Sequence, residues 1–146
     1  MEYNHRICVI GLGYVGLPLA IEFSKKYPTL GFDINDERIN QLKNNIDVTN
    51  EVAKDRLQNS NIKLSSDNSD LSSYNTYIVT VPTPIDRNKK PDLNPLVKSS
   101  QAVGSILKKG DIVIYESTVY PGTTEEVCVP ELENNSGLIF NKDFYC

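Results

Sequence analysis

Three glycines near the start of the chain have the spacing needed to bind a phosphate group. Gly11, Gly13 and Gly16 form a Gly-x-Gly-x-x-Gly pattern. In this pattern the first glycine makes a tight turn, the second lets the main chain approach a pyrophosphate, and the third lets a helix pack closely on a strand. An apolar run at residues 7–10 precedes the turn, and a segment with helical spacing follows it. This context predicts a dinucleotide-binding turn.

The helix predicted after this turn starts without acidic side chains. Residues 11–21 contain neither Asp nor Glu, although helices usually favour acids in their first turn because of the helix dipole. The positive end of the helix and its unpaired N–H groups are therefore left for an external anion. The alternative is a glycine turn that serves only packing.

One acid, Asp33, is predicted to select the dinucleotide. It ends the second predicted strand, 22 positions after Gly11. An acid at this spacing accepts hydrogen bonds from the adenosine ribose and repels a 2′-phosphate, so the pattern favours NAD over NADP. Arg38 lies near enough in sequence to contact the adenine or a phosphate. The alternative role of Asp33 is to cap the next helix.

Two later loops are predicted at the same edge of the sheet as the glycine turn. They are Val81-Pro82-Thr83-Pro84 and Ser117-Thr118-Val119, and each follows a predicted strand. Ligands of open α/β sheets bind at the carboxyl ends of the strands. Thr83 and Thr118 are therefore expected at one crevice, where their hydroxyls contact the ribose, the nicotinamide or a water, or serve only the turns.

Strands and helices alternate along the whole chain. Parallel strands need crossover connections, so this alternation predicts a doubly wound α/β fold with a mainly parallel sheet of about six strands. Asn35 is expected to cap the second helix, whose apolar face is predicted to hold Ile39, Leu42 and Ile46. Thr123 and Glu126 have the spacing of a capping box. The predicted strands cover residues 6–10, 29–33, 62–64, 77–81, 111–116 and from 138 onward. Helices are predicted over residues 14–26, 51–58 and 94–107, in addition to the helix that Asn35 caps and the helix that the capping box begins.

The composition is that of one globular domain. The chain has 146 residues, of which 39% are hydrophobic and 23% charged. Its net charge of −4 argues against nucleic acid or a membrane as the main partner. The N-terminus is too polar for a signal peptide, which predicts a cytoplasmic protein. The three cysteines lack CxxC spacing, so we expect neither a disulfide framework nor a metal site, and Cys8 is predicted to be a core residue.

Four stretches together resemble the NAD-binding domain of the UDP-glucose/GDP-mannose dehydrogenase family. They are residues 10–20, 31–33, 81–84 and 116–125. Among the members, the chain is most similar to bacterial enzymes that oxidise C6 of UDP-N-acetylhexosamines for capsule or O-antigen synthesis. Residues 137–146 also resemble that branch.

This resemblance implies two successive NAD-dependent oxidations that convert the C6 alcohol of a UDP-sugar to a carboxylate. It assigns cofactor contacts to a set of residues around the crevice, and it gives Thr118 a catalytic role in ordering a water. The set is Gly11, Leu12, Gly13, Tyr14, Val15, Gly16, Asp33, Arg38, Val81, Pro82, Thr83 and Thr118.

By the same resemblance, the nucleophilic cysteine, the oxyanion-stabilising lysine and asparagine, and most of the UDP-sugar site belong to a later domain. Residues 1–146 are therefore expected to be the N-terminal Rossmann domain of a longer enzyme, inactive alone, and the full-length enzyme a homodimer or larger. The alternative is a stand-alone dinucleotide-binding regulatory module without catalysis. A short-chain or hydroxy-acid dehydrogenase of another Rossmann family is disfavoured, because such enzymes need their own base, such as a Tyr with a Lys four residues later, and the chain has no Tyr-x-x-x-Lys pair.

Overall fold

Five parallel strands form the centre of the protein. The computed structural model describes residues 3–117 and 119–146. The strands run in the order β3-β2-β1-β4-β5, which is the order of the Rossmann fold, so the predicted doubly wound parallel architecture is confirmed. They are β1 (Ile7–Ile10), β2 (Thr29–Phe32), β3 (Lys63–Ser65), β4 (Thr76–Val79) and β5 (Ile112–Tyr115).

Helices cover both faces of this sheet. The first three helices along the chain pack with strand residues in one hydrophobic cluster on one face of the sheet. The last two helices pack with strand residues in a second cluster on the other face. A 3-10 turn at Asn68–Ser73 precedes β4, and a π-helical turn at Thr124–Cys128 leads into the last helix. The helices are α1 (Gly16–Ser24), α2 (Asp36–Lys43), α3 (Lys54–Gln58), α4 (Asn94–Ile106) and α5 (Val129–Ser136).

Strand β1 belongs to both hydrophobic clusters. Ile7 and Val9 pack with α1, α2 and α3, whereas Cys8 and Ile10 pack with α4 and α5. All four residues are buried, because a parallel strand between two helical layers has no face in water. This explains why the sequence of β1 is continuously apolar, and it confirms Cys8 as a core residue.

Helix α2 begins with the predicted cap. The Asn35 side chain accepts a hydrogen bond of 3.2 Å from the Arg38 N–H, which satisfies one of the donors left unpaired at a helix start. Ile39 and Leu42 are buried as predicted. The prediction for Ile46 is wrong, since the helix ends at Lys43 and the Ile46 side chain is exposed.

The last segment, predicted as a sixth strand, forms a turn instead. The Asp143 carboxylate accepts a hydrogen bond of 2.9 Å from the Ile139 N–H, and Asn141 has a left-handed φ of 63°. These features bend the chain away from an extended path. Within this segment Phe140 forms an isolated bridge to Phe144, and Tyr145 forms one to Ile112 at the edge of β5. Within the described part of the chain the sheet therefore has five strands instead of about six.

The predicted capping box at Thr123 is not formed. The backbone of Thr123 is helical, with φ −58° and ψ −41°, whereas a capping residue needs an extended backbone to turn its side chain toward the helix. Its hydroxyl instead donates a 2.8 Å hydrogen bond to the Tyr120 carbonyl. The chain therefore enters α5 through the π-helical turn without a side-chain cap.

Two kinds of feature are missing from residues 3–117 and 119–146. None of their helices has the length and apolar character needed to cross a membrane. Their His, Cys, Asp and Glu side chains do not gather in groups of three or more that would hold a metal ion.

The contact between Gly16 and the glycine turn gives a prediction for stability. A Cβ at Gly16 would lie 1.8 Å from the Gly11 carbonyl oxygen and 2.4 Å from the Thr80 hydroxyl. Gly16→Ala should lower the free energy of unfolding by about 3 kcal/mol, because backbone has to move. Urea unfolding measures this.

Gly13→Ala is the matched control, because a Cβ at Gly13 meets no atom within 4 Å. It should stay within about 0.5 kcal/mol of the wild type. Equal unfolding midpoints for both variants would show that α1 does not approach the turn this closely.

Candidate functional site

A cleft of about 1390 Å³ opens at the carboxyl edge of the sheet. It lies where the strand order reverses, between β1 and β4, which is where doubly wound folds bind ligands. Gly16 lies under the turn instead of lining the cleft, and Thr118 falls outside the described residues. The predicted site residues that line the cleft are Gly11, Leu12, Gly13, Tyr14, Val15, Asp33, Arg38, Val81, Pro82 and Thr83.

The three glycines have three different environments. Gly11 has a φ of +92°, a conformation that favours glycine, and its carbonyl accepts a 2.6 Å hydrogen bond from the Thr80 hydroxyl. Gly13 has open space where a side chain would stand. Gly16 is in direct contact with Gly11. The turn therefore offers room for a pyrophosphate at Gly13, with close packing on either side of it.

The start of α1 faces the cleft without a capping group of its own. Its N-cap is Val15, which makes no side-chain capping bond, and its first turn contains no acid. Tyr14 and Val15 are exposed at the rim, with 70% and 56% of their surfaces in solvent. The partial positive charge of the helix end is therefore not neutralised by the helix itself. A phosphate group fits this environment.

The main chain of Leu12 is held on both sides. Its N–H donates to the Asp33 carboxylate at 3.0 Å, and its carbonyl accepts from Nε and Nη2 of Arg38 at 2.9 and 2.7 Å. The Leu12 side chain is buried in the core. The turn is thus fixed by a core contact below and by two charged side chains above.

Asp33 has a structural role in addition to its place in the cleft. Besides the Leu12 bond, its second oxygen accepts a 3.0 Å hydrogen bond from the Asn35 N–H. This bond closes a turn before α2, whose cap is Asn35 and not Asp33. Each carboxylate oxygen can accept a further hydrogen bond, so these contacts leave Asp33 able to accept from a ribose hydroxyl.

Arg38 is bonded into the fold. Its side chain is 9% exposed, and its Nη1 donates at 2.9 Å to Asp47, whose side chain is 1% exposed. Arg38 is among the residues that line the cleft, but the hydrogen bonds described for its guanidinium go to Leu12 and Asp47. Its contact with a cofactor stays a prediction.

Asp47 was not found from the sequence. Its carboxylate accepts hydrogen bonds from the N–H groups of Thr49, Glu51 and Val52 and from the Thr49 hydroxyl, in addition to Arg38. Burial raises its pKa, but these hydrogen bonds outweigh burial and lower the pKa to about 2. The available signal was an Asp two positions before a Thr in a polar loop, which is typical of an Asx turn.

Further polar residues of the cleft also lacked a sequence motif. The Thr80 hydroxyl fixes the Gly11 carbonyl, and the Ser117 hydroxyl donates at 2.8 Å to the Val81 carbonyl. Lys98 contributes an exposed positive charge from α4. Thr80 and Ser117 could have been found as hydroxyl residues that lie just after a strand. Lys98 had no such signal, because the pattern of α4 indicates only its apolar face.

The strand order, the glycine turn and the acid after β2 together define a dinucleotide-binding domain of the Rossmann type. The comparison with known families specifies this class further. Residues 5–146 match the model of the UDP-glucose/GDP-mannose dehydrogenase family, NAD binding domain, and the chain belongs to this family. The family and the cofactor NAD expected from the sequence are therefore confirmed.

Relatives with high identity are bacterial. Protein CapL of Staphylococcus aureus is 55% identical over 142 residues, which is 97% of this chain and 34% of the relative. The UDP-N-acetyl-D-glucosamine 6-dehydrogenase of Pseudomonas aeruginosa is 59% identical over 141 residues, or 96% of this chain and 33% of the relative. The chain thus spans about a third of the length of these relatives.

A solved structure agrees with this assignment. The UDP-D-ManNAc dehydrogenase of Pyrococcus horikoshii has a TM-score of 0.88 at 36% sequence identity. The match covers 95% of this chain and 34% of that chain. The order of strands and helices described above is therefore that of a known dehydrogenase domain.

The lowered pKa of Asp47 gives a prediction for acid stability. Its folded-state value of about 2 lies below the usual 3.8, so the stability it contributes is present above pH ~4 and is lost as the pH falls toward ~2. Between these limits the wild type should lose ~2 kcal/mol more than Asp47→Asn. Urea unfolding at a series of pH values measures the difference.

Asp36→Asn serves as the control, because Asp36 is an exposed carboxylate on the same helix as Arg38. Over this pH range Asp36→Asn should differ from the wild type less than Asp47→Asn does, because an exposed charge contributes little to stability. Parallel curves for the wild type and Asp47→Asn would contradict the role of the buried carboxylate.

Proposed function

We propose that this chain is the NAD-binding domain of a UDP-sugar 6-dehydrogenase. The enzyme would oxidise the C6 alcohol of a UDP-sugar to a carboxylate in two NAD-dependent steps, in the cytoplasm, for the synthesis of surface polysaccharide. The observation that carries this proposal is the similarity of nearly the whole chain to the C6 dehydrogenase from Pseudomonas aeruginosa. The relative named CapL supports a role in capsule synthesis.

We further propose that residues 1–146 form the N-terminal domain of a longer protein, since relatives are about three times as long. A reading frame that continues for several hundred codons past Cys146 would support this. A stop codon directly after Cys146 would favour the regulatory module instead. We propose that the full-length enzyme is a homodimer or larger, which its mass in solution tests.

Different residues of the cleft are proposed to bind different parts of the cofactor. The main chain of Gly11–Val15 would hold the pyrophosphate, and Asp33 would accept hydrogen bonds from the adenosine ribose. Val81, Pro82 and Thr83 would line the nicotinamide side, where Thr118 is proposed to order a water. NAD, when bound, supplies the acceptor for the hydride that leaves the sugar.

The contacts made by this chain favour binding because they hold the turn in place before a ligand arrives. Leu12 is fixed through Asp33 and Arg38, and Gly11 is fixed through Thr80. A loop that is already ordered loses less conformational entropy when it binds. The proposed role of these side chains is therefore to orient N–H groups toward the phosphates.

Asp33 offers a direct test of the cofactor site. Asp33→Ala removes the proposed ribose acceptor and leaves the Leu12 N–H without its partner. NAD affinity should fall about tenfold or more, because a hydrogen bond to a charged group is lost. Isothermal titration calorimetry of the 146-residue chain measures this.

Asp36→Ala is the matched control, because Asp36 is also acidic and near the end of β2 but does not line the cleft. Its NAD affinity should equal that of the wild type. Absence of NAD binding by the wild type at millimolar cofactor, or equal binding by Asp33→Ala, would contradict the proposed site.

The proposed reaction is tested with the full-length protein. Each UDP-sugar oxidised should yield two NADH, because an alcohol becomes a carboxylate in two hydride transfers. A panel of UDP-glucose, UDP-N-acetylglucosamine, UDP-N-acetylmannosamine and UDP-N-acetylgalactosamine, followed by NADH absorbance, identifies the sugar. A yield of one NADH per sugar, or no turnover with any of them, would contradict the proposed oxidation.

A further inference from the structure

Arg38 is a cation on the side of the cleft that is proposed to bind the adenosine. It lines the cleft together with Asp33, Ile34 and Asn35, which follow β2. In Rossmann domains an arginine near the acid position is the group that accommodates a 2′-phosphate. The position of Arg38 is therefore one from which a dinucleotide with a 2′-phosphate is recognised in other proteins of this fold.

The charge of Arg38 is already balanced inside the protein. Its Nη1 pairs with Asp47 at 2.9 Å, and both side chains are nearly buried. Nε and Nη2 are directed to the Leu12 carbonyl. A buried ion pair is weakly screened by solvent, so the two charges cancel at close range and leave little net potential for a ligand.

The remaining charges around the end of β2 are negative. Asp33 lines the cleft, and Asp36 and Glu37 occupy the first turn of α2. With Arg38 neutralised by Asp47, a phosphate on the ribose 2′-oxygen meets the Asp33 carboxylate in the cleft, and the other cation of α2, Lys43, lies in the last turn of that helix. Like-charge contacts of this kind are a common source of discrimination between ligands.

We propose that Asp47 determines the preference for NAD over NADP by acting through Arg38. This inference rests on the cofactor site proposed above and goes beyond the role of Asp33. Asp33 repels a 2′-phosphate directly, whereas Asp47 withholds the guanidinium that would attract it. Asp47 is therefore a positioning residue. It contacts Arg38 and residues 49–52 of its own loop, and it acts on the ligand only through Arg38.

The test uses two probes that contain only the adenosine end of the dinucleotides. These are 5′-AMP and adenosine 2′,5′-bisphosphate, which differ by the 2′-phosphate alone. Each probe is titrated into the isotope-labelled 146-residue chain and into each variant of it. The changes in amide NMR shifts give both affinities, and the same spectra show whether each protein is folded. The quantity compared is the ratio of bisphosphate affinity to AMP affinity.

Asp47→Asn should raise this ratio about tenfold, the effect of releasing one charged hydrogen-bond donor. Asp33→Asn should raise it independently, and the two changes together should give the largest ratio. The gain of Asp47→Asn should vanish in Arg38→Gln/Asp47→Asn. Asp36→Asn, which removes an equal charge outside the cleft, should change the ratio less than about twofold.

Several outcomes would overturn the inference. An unchanged ratio in folded Asp47→Asn would show that Asp47 serves stability alone, and a gain that survives Arg38→Gln would show that the guanidinium is not the group released. A wild type that binds neither probe would contradict the proposed site itself, and this inference with it. If the wild type binds AMP, the adenosine site exists, and an unchanged ratio in Asp47→Asn then contradicts only the role of Asp47.

A second comparison applies if Asp47→Asn does not fold, since that side chain also accepts hydrogen bonds from Glu51 and Val52. In the Asp33→Asn protein, which keeps Asp47, the NMR signal of the Arg38 Nε–H should move no more with the bisphosphate than with AMP, because the guanidinium stays bonded to Asp47 and Leu12. A clearly larger movement with the bisphosphate would show that Arg38 already binds the phosphate while Asp47 is present and would overturn the inference.

Discussion

The structure depends on one close approach, between the start of α1 and the turn that follows β1. A Cβ at Gly16 would lie 1.8 Å from the Gly11 carbonyl oxygen, so this crossing excludes every residue type except glycine. Because α1 begins directly beneath the turn, its positive end meets the cleft. The same crossing brings Thr80 against Gly11 and so joins the ends of β1 and β4, where the strand order reverses.

Leu12 joins this turn to the second strand and to α2. Its side chain is part of the core, while its N–H and carbonyl are bonded to Asp33 and Arg38. The residues expected to recognise the adenosine are therefore the residues that hold the glycine turn. Asp47 extends this connection, since it fixes Arg38 and the loop that follows α2.

Features set by local rules were predictable from the sequence. The glycine spacing, the acid after β2 and the cap at Asn35 each depend on neighbouring residues, and the buried strands follow from their apolar character. The Arg38–Asp47 pair was missed because it joins a helix to an irregular loop, where no periodicity exists. The apolar run after residue 137 predicted a strand, but the Asp143 side chain closes a turn there.

The reversal of strand order also sets when the cleft can be assembled during folding. β1 pairs with β2 after a short crossover, whereas the contact between Thr80 and Ile10 joins residues 70 positions apart. The entropy lost on closing a loop grows with its length, and non-local pairings slow folding. A chain that has paired only β1, β2 and β3 has the glycine turn and Asp33 but not the opposite wall. We therefore expect competence to bind a dinucleotide to appear late, when β4 docks.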